Sequence, residues 1–162
     1  MIWLTVIIAV LLVCFAGVLL FGAPYLPTLK PQMHEALELA DLKPGQTLLE
    51  LGCGDGRVLI AAAQKGYKAV GYELNPLLVV AAWIRTRRYR RQVRVVWGDF
   101  WRAEWPPAEA IFVFLLPRYM RKLDLQCADY PHRPLRLVSF AFQIPDKKPH
   151  RHRKGVYVYD YT

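Results

Sequence analysis

The run Leu48-Leu-Glu50-Leu-Gly52-Cys-Gly54-Asp55-Gly56-Arg57 sets two carboxylates among three closely spaced glycines. Glycines let a backbone approach a ligand closely and take positive φ. The apolar residues before them predict a strand, and those after them a helix. A strand that runs through such a turn into a helix offers a ligand site at its carboxyl end. Loops of the GxGxxG kind hold a pyrophosphate on backbone amides and the helix N-terminus. Here the spacing is GxGxG, with Glu50 ahead of it and Asp55 inside it. Two carboxylates repel a pyrophosphate, so the loop suits a ligand with an amino group and a positive charge.

Two more acids follow at matching places. Glu73 closes the apolar run in Val70-Gly-Tyr-Glu73-Leu-Asn-Pro76, and Asp99 follows the next in Trp97-Gly98-Asp99-Phe100-Trp101. A carboxylate at the first place accepts both hydrogen bonds of a ribose diol. Asp99 is suited to an adenine amino group, with Phe100 or Trp101 beside the ring. Taken singly, each is an ordinary strand-end acid. Taken in order, they fit the parts of one ligand, S-adenosylmethionine, which carries an ammonium, a sulfonium and no phosphate.

The elements that must place these residues alternate. Strands are expected at Thr47–Leu51, Lys68–Glu73, Val93–Trp97, Ala110–Leu116, Leu135–Phe142 and Gly155–Tyr161. Helices are expected from Pro31 to about Ala40, Gly56–Lys65, Pro76 to about Arg90 behind an Asn75 cap, and Pro117 to about Ala128. Pro145–Lys154 lacks apolar periodicity and is expected to be a loop. Alternation of this kind predicts an α/β fold, a mostly parallel sheet with helices on both faces.

A different segment comes first. Ile2–Phe21 contains no charged residue, and its only hydroxyl belongs to Thr5. As a helix it would span about 30 Å, the thickness of a bilayer's hydrocarbon core. Gly22, Pro24 and Pro27 end it, and Trp3 and Tyr25 lie near its ends. No Lys or Arg precedes it, unlike a secretory signal. Three parts are therefore expected: a transmembrane anchor over 1–22, a proline-rich linker and short helix over 23–45, and a ligand-binding domain over 46–162. The first charge is Lys30, and the net charge of +9 lies wholly in residues 30–162. This places the domain on the cytoplasmic, or matrix, side of a single-pass membrane protein.

The order of a short uncharged anchor, APYLPT, LELGCGDGRVLIAAAQKGYKAVGYELNP and GDFW resembles the class I, Rossmann-like S-adenosylmethionine-dependent methyltransferases. Within them it is similar to the single-pass protein-lysine methyltransferases of mitochondria, which modify the adenine nucleotide translocase and the c subunit of ATP synthase. The resemblance implies that Glu50, Gly52, Gly54, Asp55, Glu73, Asp99 and Phe100 contact the cofactor. It also implies that Pro24–Thr28 helps to close the site. Glu50 stands where that group more often has Asp. Phe114-Leu-Leu-Pro117 follows the fourth strand in place of an NPPY-type motif, which argues against an amide or base-amine acceptor. Tyr25, Pro117 and Tyr119 are candidates to line the acceptor channel. No catalytic base is singled out, since burial beside a cationic cofactor lowers a lysine's pKa. The acceptor stays open between a lysine of a membrane-associated protein and a membrane-soluble quinol or lipid. A scaffold that has lost catalysis is the reading outside enzymes.

Arg85–Arg94 holds six arginines, and Lys147–Lys154 is a second basic cluster. Anionic headgroups, a solvated helix end and nucleic-acid phosphates all fit such cations. A nucleic-acid partner is the least expected of the three. The three cysteines, Cys14, Cys53 and Cys127, show no CxxC spacing. With the histidines scattered or unaccompanied by acids, neither a metal site nor a disulfide framework is expected.

Overall fold

Thr47–Leu51, the apolar run ahead of the glycines, is strand β1 and lies third in a seven-stranded sheet. The computed structural model describes residues 2–6 and 28–162. After it come α2 (Arg57–Gln64), β2 (Lys68–Glu73), α3 (Pro76–Thr86) with a 3-10 turn at Arg87–Tyr89, and β3 (Val93–Trp97). Then follow β4 (Ala110–Val113), α4 (Pro117–Ala128), β5 (Leu135–Phe140), β6 (Arg151–Arg153) and β7 (Val156–Tyr161). Helix α1 (Lys30–Ala40) precedes β1.

The sheet order is β3-β2-β1-β4-β5-β7-β6. The first five strands in that order pair parallel, and β7 joins β5 and β6 antiparallel. Right-handed crossovers on a parallel sheet leave the strands' carboxyl ends at one rim, and the order reverses beside β1 and β4. Side chains alternate across β1. Leu48 packs on the α1 and α2 side, with Val58, Leu59 and Phe112. Leu49 and Leu51 pack on the other, with Met120 and Leu123 of α4. Period-two alternation sends Glu50 to the first side, where it is buried. The connection 98–109 is irregular and lays Trp105 and Ala108 on the α4 side.

Expected elements appear with shifted ends. β4 and β5 stop two or three residues early, and α3 tightens to a 3-10 turn before Arg90. The Asn75 cap forms, its side chain accepting from the Leu77 amide. One expectation is corrected: Pro145–Lys154 is not a loop throughout. Arg151–Arg153 pairs with β7 as an edge strand, and Arg153 and Lys154 reach Glu35 of α1. The pairing with β7 is a local hairpin through the positive-φ turn Lys154-Gly155, and only Glu35 comes from over a hundred residues away; the strand's polar composition hid it.

The expected anchor over 1–22 lies outside the described residues except for 2–6, which are helical and exposed. Among the described residues, no helix is long and apolar enough to cross a membrane. Nor do they hold any cluster of groups suited to a metal ion. Cys53 and Cys127 are buried and unpaired.

Candidate cofactor and acceptor site

The glycine loop is held from below by β2. The amides of Gly52 and Cys53 both donate to the Tyr72 carbonyl, at 2.9 and 2.8 Å. Gly71 allows this close approach, because a Cβ there would lie 2.6 Å from the Cys53 Cβ and 2.7 Å from Leu59 Cδ1. Gly56 takes φ +77 and opens α2 against Ala82 and Thr86 of α3. Two glycines of the run thus have separate tasks: Gly56 packs a helix, and Gly52 turns at φ +90 with nothing within 4 Å of where its Cβ would be.

Glu73 ties the rim together. Its Oε2 accepts from the Gly54 amide and its Oε1 from the Asn75 amide, each at 2.8 Å. A carboxylate has about four lone-pair sites, so two remain for a ribose diol. Asp99 Oδ1 accepts from the Trp101 amide at 2.9 Å, which turns Phe100 and Trp101 back over the end of β3. Their rings lie 4.7 Å apart, and Trp101 lies 5.8 Å from Tyr119 of α4. Pro117 opens α4 at the end of β4. Tyr25 lies outside the described residues. Thr28, the last residue of the expected closing segment, is buried, and its carbonyl accepts from Arg57 at 3.4 Å.

Two acids of the loop have opposite surroundings. Asp55 takes Arg57 in a forked pair, Nε to Oδ1 and Nη2 to Oδ2, both 3.0 Å, and also pairs with Arg85. Its charge is answered within the protein. Glu50 is 4% exposed, and its Oε2 has no hydrogen-bond partner. Burial, then the nearby Glu73, push its carboxyl well above the usual range, and Arg57 only partly opposes them. The same burial raises the Cys53 thiol, so that cysteine stays protonated and inert.

A buried carboxylate with one unpartnered oxygen, two residues ahead of an open glycine turn, fits the ammonium end of S-adenosylmethionine. Glu50 would hold that end, Glu73 the ribose, and Asp99 with Phe100 the adenine. Asp55, expected at the cofactor, is held by Arg57 two residues on and by Arg85 thirty residues on; neither pairing was read from the sequence. Nor did the sequence single out Phe114, which packs 4.7 Å from Phe140 and 6.3 Å from Phe142 near the ends of β4 and β5. A groove of about 580 Å³ lies elsewhere, on the α4 face of β2 and β3, lined by Val70, Tyr72, Val96 and Trp105 among others. No residue of the glycine loop lines it.

Residues 50–151 match the ANTKMT methyltransferase domain family. The chain belongs to it. This methyltransferase domain is 32% identical over 130 residues to the Homo sapiens lysine N-methyltransferase of the ATP synthase c subunit, across 78% of this chain and 54% of that protein. It is 30% identical over 130 residues to a protein-lysine N-methyltransferase of Saccharolobus islandicus, covering 81% of that protein. Among solved structures, it superposes on an RNA methyltransferase from Salinibacter ruber in complex with S-adenosylhomocysteine. There the TM-score is 0.76 and the identity 32%, over 84% of this chain and 92% of that one. The chain spans about half the length of the first curated relatives it matches. The Rossmann-like class I fold and the S-adenosylmethionine type of site follow from these matches and from the sheet order together.

Proposed function

We propose that this domain methylates a lysine side chain of a membrane-associated protein with S-adenosylmethionine. The observation that carries the cofactor reading is Glu50: a buried carboxylate whose Oε2 has no hydrogen-bond partner, two residues ahead of the open turn at Gly52. The lysine acceptor is supported by relatives named as protein-lysine methyltransferases. The anchor over 1–22 and a domain on the cytoplasmic or matrix side are part of the same reading. They are supported by the uncharged run to Phe21 and the cations that follow it.

When bound, the cofactor supplies an electrophilic methyl group on a sulfonium. The chain's own part is to bind, align and desolvate. Glu73, fixed by two amides, sets the ribose end, and Glu50 the amino end. Trp101, Pro117 and Tyr119 wall the acceptor side and exclude water, which disfavours a lysine's charged form. Lys122 Nζ already lies 4.3 Å from the Trp101 ring centroid, so this aromatic surface accepts an ammonium.

A second reading has a specific observation behind it. The Salinibacter ruber relative is named as an RNA methyltransferase, and exposed arginines follow α3. Membranes carrying the full chain, extracted in detergent and given methyl-labelled cofactor, separate the readings. Label is expected in protein, at lysine. Label in RNA favours the second reading, and label in the organic phase points to a quinol or lipid acceptor.

A further inference from the structure

Helix α3 is apolar on both sides. Val79 and Ala82 are buried against the sheet and α2, as a core-facing stripe should be. Leu77, Val80, Trp83 and Ile84 recur at three- and four-residue spacing on the opposite side, and each is 49% to 56% exposed. Leu74 and Trp97 extend this patch at the helix's N-terminal end, Trp97 being 63% exposed. A surface helix of a globular domain carries polar residues outward; one apolar all round belongs in a core or against lipid.

The patch has little polar cost of burial. Trp83 Nε1 donates to the Val95 carbonyl and Trp97 Nε1 to the Leu74 carbonyl, both at 3.1 Å. Both indole N–H groups are satisfied within the protein, and the rings remain free to leave water.

Beyond Ile84 the same side turns cationic. Arg87, Arg88, Arg90 and Arg91 are exposed, and none has an acidic partner among the described residues. The other basic cluster differs: Lys147 pairs with Asp124, and Arg153 and Lys154 pair with Glu35. Arg85, grouped with the first cluster in the sequence, turns inward to Asp55. Of the two clusters, the one left without acids is therefore the one that borders the apolar patch.

We infer that the outer face of α3, with Leu74 and Trp97, seats in the headgroup and acyl boundary of an anionic bilayer, with Arg87, Arg88, Arg90 and Arg91 on its phosphates. Apolar rings with a border of unpaired arginines are the pattern of an interfacial helix. The inference is independent of the methyl acceptor and of the N-terminal segment. It adds an orientation: the face begins one residue after Glu73, so seating it holds the mouth of the cofactor site at the membrane surface.

The test uses the full chain with Val80→Cys in a Cys14→Ser background, labelled with an environment-sensitive fluorophore. It is reconstituted into phosphatidylcholine vesicles with and without phosphatidylglycerol. With phosphatidylglycerol, emission is expected to shift to shorter wavelength, and a lipid-borne quencher to reach the label while iodide does not. The shift is expected to be lost in neutral vesicles, in the Arg87→Glu, Arg88→Glu, Arg90→Glu, Arg91→Glu variant, and for a label at exposed Lys65→Cys. A label at Val80→Cys that iodide quenches equally in both vesicles overturns the inference. So does protection that ignores lipid charge and fades as protein is diluted, which identifies a second copy as the occupant. The neutral-lipid comparison needs no charge variant, so misfolding of that variant leaves the test standing.

Discussion

The carboxyl ends of β1 and β2 and those of β4 and β5 close one rim of the same sheet with opposite chemistry. The first pair ends in carboxylates bound to backbone or guanidinium: Glu73 on two amides, Asp55 on two arginines, Glu50 buried beside them. The second pair ends in rings, Phe114, Phe140 and Phe142, with Pro117 and Tyr119 on the helix that follows. One half is built to hold a charged, hydroxyl-bearing molecule in a fixed pose. The other is built to keep water away from whatever approaches it. The comparison breaks most visibly at Glu73. Glu73→Ala removes the proposed diol acceptors and also releases the Gly54 and Asn75 amides. S-adenosylhomocysteine binding, by calorimetry, is expected to weaken roughly a hundredfold or more, at about 1.5–3 kcal/mol per hydrogen bond to a charged group. Affinity within a few-fold of the parent would break the assignment of the polar half.

Gly71→Ala tests the same half through its packing. The added methyl meets Cys53 and Leu59 at under 3 Å, and backbone below the glycine loop must shift. A loss of about 1–3 kcal/mol is expected from chemical unfolding. Trp101→Ala tests the aromatic half. It removes the ring between Phe100 and Tyr119, so kcat/KM for the acceptor is expected to fall about tenfold, or ~1.4 kcal/mol. Cofactor affinity should move far less. If both fall together, the two halves are not separable.

How much of this was legible follows from the same contrast. Glycines, strand-end acids and the Asn75 cap act through spacing within a few residues, so the order of elements, the cap and the acids' places at the strand ends were readable. The half proposed for the acceptor is made of aromatic residues, and a sequence does not distinguish a ring that packs from one that receives a substrate. The remaining differences come from polar composition or from partners distant in sequence. β6 forms a local hairpin with β7, which its polar residues hid, and distant Glu35 takes the ion pair of Arg153. Arg85 leaves its cluster because Asp55 lies against α3. The outward stripe of α3 looked like ordinary helix apolarity until Val79 and Ala82 were seen to be the buried side.

The smallest effect carries two signs at once, and it comes from Glu50. Its folded-state pKa is raised above the ordinary carboxyl value of 4.5, chiefly by burial. As pH rises through that value, the unfolded chain releases this proton while the folded chain keeps it. The unfolded state then binds fewer protons, so the ligand-free domain loses stability with rising pH until the folded pKa is passed. Glu50→Gln keeps the shape and removes the titration. It is expected to match the parent near pH 4.5 and to be more stable by about 1 kcal/mol at neutral pH. The same change should weaken S-adenosylhomocysteine binding, because the ammonium loses its counter-charge. Thermal unfolding of both proteins across this pH range, with and without S-adenosylhomocysteine, reads both signs. Bound ligand should flatten the parent's pH slope, since its cation favours the ionised carboxylate. If parent and variant share one slope, Glu50 is already ionised and partnered, and the carboxylate that awaits the ligand must be sought elsewhere on the rim.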